Sequence, residues 1–163
     1  MKEASRELLA SREDVWSFLA EPYHLADWWP GLVGVDPDRR GFAEGARWDV
    51  SLIEDPVSFG VLRLPSLGRP SGPRVSAVLL VTAVAVYDEW SWSLIRRGRS
   101  LRTVPAVDVQ IRLRWVDAGT TLVTVGVSGS DARARVLSGS RDARVAQAAV
   151  DRLYELVQTA ATL

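Results

Sequence analysis

The chain has 163 residues, of which 47% are hydrophobic and 25% are charged, with 20 basic side chains against 20 acidic ones. This length and composition predict one folded domain over residues 1–163 rather than a disordered chain. The balanced charge argues against nucleic acid as a partner, because phosphate binding requires a basic excess on one face. Cysteine is absent and His24 is the single histidine, so we predict no metal site and no cofactor.

The N-terminus and the apolar runs bear on cellular location. The first seven residues contain no apolar segment followed by a small-residue cleavage site, so no secretory signal is predicted. The longest apolar run, Val78 to Val86, is interrupted by Thr82 and is far shorter than the ~20 residues that span a bilayer. These features predict a cytoplasmic protein without a membrane span.

The first part of the chain predicts a strand followed by two short helices. A short mixed pattern runs from Lys2 to Ala10, and the Ser11 hydroxyl can cap a helix that begins directly after it. Pro22 ends that helix and is well placed to open a second one, which closes at Pro30 and Gly31. The two helices therefore form a hairpin.

From Gly31 the apolar residues recur with period two, which is typical of strands with one buried face. The clearest run is Val107 to Trp115, and the turn residues around Gly119 join it to a second run, Thr121 to Val127. The remaining predicted strands are Gly31–Asp36, a run around Trp48–Leu52, Val75–Tyr87 and Trp90–Leu94. The intervening segment Asp55–Pro73 is rich in Pro, Gly and Ser and predicts a long loop.

Beyond Gly129 the apolar spacing changes to three and four, which predicts a long amphipathic helix near the end of the chain. Leu153 and Val157 lie on its apolar side. An apolar sheet face must be covered by another layer. We therefore predict an α+β fold in which a curved antiparallel sheet of six to seven strands wraps around this helix, with two short helices after the first strand.

Two segments resemble a known superfamily. Arg12–Pro30, with Trp28-Trp29-Pro30 at its end, is similar to the opening of START-like (SRPBCC) proteins, which include polyketide cyclase/dehydrase-type members. Gly119–Val123 resembles the Gly-Thr hairpin before the last strand of that family. The resemblance implies a helix-grip fold around an internal cavity for apolar or amphipathic ligands, and it carries over no catalytic residue.

Seven tryptophans suggest an aromatic-lined pocket, although aromatic residues also fill ordinary cores. Alternation predicts that Trp90, Trp92 and Trp115 face inward, whereas Trp16 and Trp48 are assigned to the core. Of Trp28 and Trp29, at most one is expected to point inward. The predicted ligand-binding residues are Trp28, Trp90, Trp92, Trp115, Leu153, Tyr154 and Val157.

Three further groups have a functional and a structural interpretation. Tyr154 could offer its hydroxyl to a ligand or could flank the helix at the surface. His24 is the only base active near neutral pH, but a solvent-exposed position is favoured. The run Arg96–Arg102 could bind an anionic head group, although such runs are usually solvated loops.

These observations leave three classes of function open. The favoured one is a protein that binds a small hydrophobic molecule, because the concave face is apolar and no acid/base pair is evident. The second is a polyketide cyclase/dehydrase-type enzyme acting in the same cavity. The third is an interaction domain whose interior is filled with side chains.

The predicted strand Val75–Tyr87 is apolar on both faces, with only Ser76 and Thr82 as polar breaks on the second face. Antiparallel strands with one wet face normally alternate apolar and polar residues. Either the segment Asp55–Pro73 covers this second face, or the second face forms a two-fold contact in a homodimer. A one-residue shift in register would also account for the pattern.

Overall fold

The structure is a computed structural model and describes residues 1–53, 74–96, 107–129 and 135–161. Its elements in chain order are β1 (Lys2–Leu8), α1 (Arg12–Leu19), a 3-10 turn (Pro22–His24), α2 (Leu25–Trp28), β2 (Leu32–Asp36), β3 (Arg47–Ile53), β4 (Arg74–Ala85), β5 (Glu89–Arg96), β6 (Val107–Asp117), β7 (Thr120–Gly129) and α3 (Arg135–Ala161). The predicted loop Asp55–Pro73 and most of the arginine run after β5 lie outside the described residues.

All seven strands pair antiparallel in one sheet of order β1-β7-β6-β5-β4-β3-β2. Strands β2 to β7 are neighbours in chain order, and β1 joins the far edge by pairing with β7. The sheet is curved and not closed, so β1 and β2 are its two edges. The predicted α+β class, strand number and terminal helix are confirmed.

The first helix begins where the sequence predicts it. Ser11 has extended backbone angles, and its hydroxyl accepts a hydrogen bond from the Asp14 N–H at 3.2 Å. This contact satisfies one of the four N–H groups that a helix start leaves unpaired. Val15, Trp16 and Leu19 are the buried residues of α1, as their spacing predicts.

The core lies between the concave face of the sheet and α3. The helix contributes its buried stripe to one cluster with the inward residues of the strands. The buried α3 residues are Ala146, Ala149, Val150, Leu153 and Val157. Among the residues that the structure covers, no helix, α3 included, is long and apolar enough to cross a bilayer.

Strand β4 carries a β-bulge at Thr82. Val81 pairs with Trp92 of β5, but the next β5 partner, Ser91, pairs with Ala83, so Thr82 is an extra residue. A bulge exchanges the faces of the residues beyond it. Strict alternation along the predicted strand groups Val84 with Val78 and Leu80 on the second, outer face. That assignment is wrong, because Val84 pairs with Trp90 and packs against the core.

Before the bulge, the outer apolar residues of β4 are Val78 and Leu80, which are both half-buried; beyond it, the small residues Ala83 and Ala85 take the outer positions in place of Val84. The neighbours of Val78 and Leu80 across the sheet are polar or charged on most sides, since Leu80 pairs with Arg47 and Ser93. The register shift thus accounts for part of the two-faced pattern. The homodimer contact stays a prediction.

Substituting Leu153 by Asp tests the position of α3. Leu153 is fully buried, so Leu153→Asp places an uncompensated carboxylate in the core and is expected to lower the free energy of unfolding by several kcal/mol. Ala148→Asp on the exposed side of α3 is the matched control. Chemical denaturation of both variants measures the effect, and equal stability would contradict the placement of this helix.

Candidate functional site

Aromatic rings form a connected series along the concave side of the sheet, which we call the aromatic chain. Its members in spatial order are Trp28, Trp29, Trp92, Trp90, Phe42, Trp16 and Tyr87. Successive ring centroids are 5.6, 4.8, 6.2, 4.5, 5.5 and 6.1 Å apart. These distances fall in the range where aromatic pairs attract each other beyond simple area burial. The candidate site is this part of the interior.

Strand β5 supplies the centre of the aromatic chain. Trp90 and Trp92 are two residues apart, so both project to the concave face, and both are buried. On β6, Trp90 pairs with Ile111 and Trp92 pairs with Val109. The period-two prediction for these two tryptophans is confirmed.

The helix hairpin delivers both Trp28 and Trp29 to the interior. The prediction that at most one of them points inward is wrong, because both are buried. Trp28 is the last residue of α2, whereas Trp29 has left the helix with φ −80° and ψ 125°. Because the backbone of Trp29 is extended, its side chain is not rotated away from that of Trp28 as it would be between consecutive residues of a helix. The two rings meet edge to face at an interplanar angle of 83°.

The connection between β2 and β3 adds Phe42 to the aromatic chain. The Asp38 carboxylate accepts hydrogen bonds from the backbone N–H groups of Arg40 and Arg47, both at 3.0 Å. The bond from Arg47 is the main cause that lowers the pKa of Asp38, while desolvation opposes it. Gly41, with φ +58°, precedes Phe42 in this connection and accepts a 2.7 Å hydrogen bond from Trp48 Nε1.

Three buried indole N–H groups lack a hydrogen-bond acceptor within the described ranges. Trp28, Trp90 and Trp92 bury Nε1, and none of these atoms has a hydrogen-bond partner among the described residues. Trp48 differs, because its buried ring donates to the Gly41 carbonyl. Buried polar atoms are normally paired, so an unpaired set points to a missing partner. Two of the three donors lie on neighbouring inward positions of β5.

The remaining polar content of the interior is small. Thr121 is the only fully buried polar residue in the part of the chain that the structure describes. Its hydroxyl donates to the Ala10 carbonyl at 2.9 Å and fixes the start of β7 against the end of β1. The described interior therefore offers unpaired donors and no acid or base.

Trp115 lies apart from the aromatic chain. It is 64% exposed, so the prediction that it faces inward is wrong. Trp115 is two residues after the buried Leu113 and would share its face in a regular strand. However, the pairing of β6 with β5 stops at Arg112, and the register of β6 against β7 shifts just after Trp115. The β6–β7 hairpin thus carries Trp115 past the covered part of the sheet.

Tyr154 lies at the β1 edge and not at the aromatic chain. Its ring packs under the Arg6 guanidinium, 3.7 Å from ring centroid to Cζ. Arg6 also pairs with Asp151 of α3 at 2.6 Å. The structure therefore favours the surface-flank interpretation of Tyr154, whereas Leu153 and Val157 face the core as predicted.

His24 has a packing role. Its ring stacks on Phe18 with centroids 4.3 Å apart, and the Phe18 carbonyl accepts a hydrogen bond from His24 Nδ1 at 2.9 Å. The residue is half-buried rather than solvent-exposed as predicted. Within the described ranges, His, Asp and Glu form no cluster of three that could hold a metal ion.

A groove of about 480 Å³ borders the three strands β2, β3 and β4. Its lining residues are Gly34, Val35, Asp36, Asp49, Val50, Ser51, Ser76 and Ala77. No pattern in the sequence indicates this groove, because only the strand register aligns its small residues, with Gly34 opposite Ser51 and Ser51 opposite Ser76. None of the predicted ligand-binding residues lines this groove.

Comparisons with known proteins locate the fold. No family model and no curated protein matches the chain. A solved structure from Nitrosomonas europaea is similar over 99% of this chain and 96% of its own, with a TM-score of 0.65 and 17% identity. One from Mycobacterium smegmatis is similar over 97% and 90%, with a TM-score of 0.64 and 18% identity. A conserved protein from Geobacillus kaustophilus gives 96% and 94%, a TM-score of 0.64 and 14% identity. These likenesses establish a shared helix-grip-like fold.

The Asp38→Asn variant tests how the β2–β3 connection is held. A lowered pKa means that ionised Asp38 stabilises the native state above its ordinary pKa of 3.8, and that this contribution disappears as pH falls through the lowered value. We expect Asp38→Asn to lower the melting temperature near pH 7 and to approach the wild type in acid. Glu44→Gln, exposed in the same connection, is the control. A pH-independent difference would contradict this account.

A pair of tryptophan variants tests the difference in hydrogen bonding. Trp48→Phe and Trp92→Phe remove the same atoms from two fully buried rings, but only the first breaks a hydrogen bond. We expect Trp48→Phe to destabilise by about 1 kcal/mol more, the net contribution of one hydrogen bond. Urea unfolding measures both variants, and a larger loss for Trp92→Phe would refute the assignment of its N–H as unpaired.

Proposed function

We propose that the chain is a START-like domain that binds a small apolar or amphipathic molecule in its concave interior. The helix-grip-like fold and the similarity of Arg12–Pro30 to the START-like opening segment support this proposal. The binding region would be the part of the interior bordered by β5, α2 and the β2–β3 connection, where the aromatic chain lies.

The observation that carries the proposal is the set of unpaired indole N–H groups at Trp28, Trp90 and Trp92. Leaving one buried donor unsatisfied costs about 1–3 kcal/mol, against about 5–15 kcal/mol for the total stability of a domain. A bound molecule that brings acceptor atoms would remove this cost while burying its own apolar surface on the rings.

Binding is favoured over the cyclase/dehydrase-type alternative by the chemistry of the interior. General acid–base catalysis requires a titratable side chain within hydrogen-bond reach of the reacting atom. The described interior buries no titratable side chain, and its buried hydroxyl, that of Thr121, is committed to a backbone carbonyl.

One observation favours a second candidate, the interaction domain. The rings of the aromatic chain contact one another, as expected where side chains fill the interior. Exposed apolar residues also lie at the β6–β7 turn, namely Trp115 and Val116. A test must therefore separate internal binding from binding at this surface.

Native mass spectrometry of the freshly purified chain, followed by titration with the neutral dye Nile red, provides that test. We expect a co-purified small molecule or, after its removal, saturable dye binding that quenches tryptophan emission and raises the melting temperature. Trp115→Ser is the control, since it removes the exposed indole and should leave internal binding intact. Binding that disappears in Trp115→Ser, or no thermal shift at dye saturation, would contradict the proposal.

A further inference from the structure

The outer face of the sheet, opposite the core, carries apolar residues at its centre. Val78 and Leu80 of β4 and Ile95 of β5 lie on this face and are half-buried, and Ile95 pairs directly with Val78. We call these three residues the outer strip. Contiguous apolar residues at a surface, bordered by polar ones, commonly mark a contact with another molecule.

Charged residues of β3 border the outer strip and form two rows with it across the strands. Arg47 pairs with Leu80, and Asp49 pairs with Val78. Both charged residues are exposed. On the edge strand β2, the exposed Asp36 lies opposite Asp49. One row therefore ends in a cation, whereas the neighbouring row ends in two carboxylates.

This pattern is self-complementary under a two-fold rotation. With the rotation axis in the plane of contact, across the strands and midway between the two rows, each Arg47 faces Asp49 of the second copy, with Asp36 beside it. Each Leu80 faces Val78 of the second copy. A two-fold contact requires this reciprocity, because the same surface serves both partners. The arrangement forms the Arg47–Asp49 pair twice and places the outer strip between the two pairs.

The same axis brings the bulge of β4 to the groove beside β2. Ser51 and Ser76 form the next row beyond Asp49 and Val78, and they border the groove of about 480 Å³. At the equivalent distance on the other side of the axis, β4 carries the exposed bulge residue Thr82. A bulge bends its strand locally. The second copy thus sets this bend against a row of small residues.

The charge pattern favours a second copy over a partner with charges of a single sign. Arg47 and Asp49 are two residues apart on one strand, so a matching partner needs the same two charges at the same spacing, and this chain presents them. The sheet is curved, and two outer faces therefore touch only near the axis, where the outer strip lies. Such a small contact corresponds to a weak dimer, with a dissociation constant on the order of 10 µM.

We propose that the outer face of β3, β4 and β5 forms a homodimer contact in which Arg47 of each copy pairs with Asp49 of the other across the outer strip. This surface lies on the opposite side of the sheet from the aromatic chain. The inference is therefore independent of the proposed binding function.

Sedimentation velocity of the full chain between about 1 µM and about 200 µM tests the contact. We expect the wild type to pass from monomer to dimer over this range. Arg47→Glu and Asp49→Arg each set like charges against each other twice, so each should weaken association by about tenfold or more. Arg114→Glu is the matched control, because Arg114 is exposed on β6 outside the contact and its reversal should leave the dimer intact.

Mixing the two charge-reversed variants gives a measurement that a loss of folding cannot imitate. In the mixed pair, the acidic side chain introduced at position 47 faces the basic one introduced at position 49, and the native Arg47 and Asp49 face each other. We expect the mixture to dimerise about as tightly as the wild type, whereas each variant alone stays monomeric. Melting temperatures confirm that both variants are folded.

Several results would overturn the proposal. A wild type that stays monomeric over the whole range would do so, as is expected if another part of the chain covers the outer face. Dimers that survive both charge reversals, or a mixture that does not recover, would place the contact elsewhere. Equal weakening by Arg114→Glu would show a general effect of charge and would overturn the proposal as well.

Discussion

The packing of Trp90 and Trp92 on the concave face of β5 is the interaction on which the rest of the structure depends. These rings join three parts of the chain that the sheet alone does not hold together. Trp92 contacts Trp29 of the helix hairpin, and Trp90 contacts Phe42 of the β2–β3 connection. A curved sheet covered by one helix leaves apolar surface beyond the reach of that helix, and rings that bury ~150–250 Å² each are the side chains able to cover it.

The tryptophans of this interior fall into two chemical kinds. Trp48 is satisfied within the chain, since its N–H bonds to Gly41 in a connection that the Asp38 carboxylate organises. Trp28, Trp90 and Trp92 are also buried, but their N–H groups have no acceptor in the part of the chain that the structure describes. Burial alone therefore does not distinguish a structural tryptophan from a candidate ligand contact. The distinguishing property is whether the indole N–H has a hydrogen-bond acceptor within the described chain.

Much of this arrangement follows from local pattern. Period two placed Trp90 and Trp92 on the buried face, and the helical spacing placed Leu153 in the core, because both periodicities are properties of the backbone. The errors occur where a longer-range feature overrides the local period. The bulge at Thr82 moved Val84 to the inner face, and the hairpin carried Trp115 beyond the cover of β5. Phe42 gave no periodic signal, since a loop positions it.

The indole N–H groups contribute differently to folding and to recognition. The apolar surface that stabilises the core comes from the rings, and a phenylalanine ring at Trp90 or Trp92 would supply much of it without a polar atom to desolvate. An interior shaped only by folding gains nothing from three donors that no atom of the described residues accepts. The proposed binding of a ligand with acceptor atoms accounts for this cost. The unpaired N–H groups lower the stability of the free chain, and the hydrogen bonds that they form only in the complex raise the affinity for the ligand.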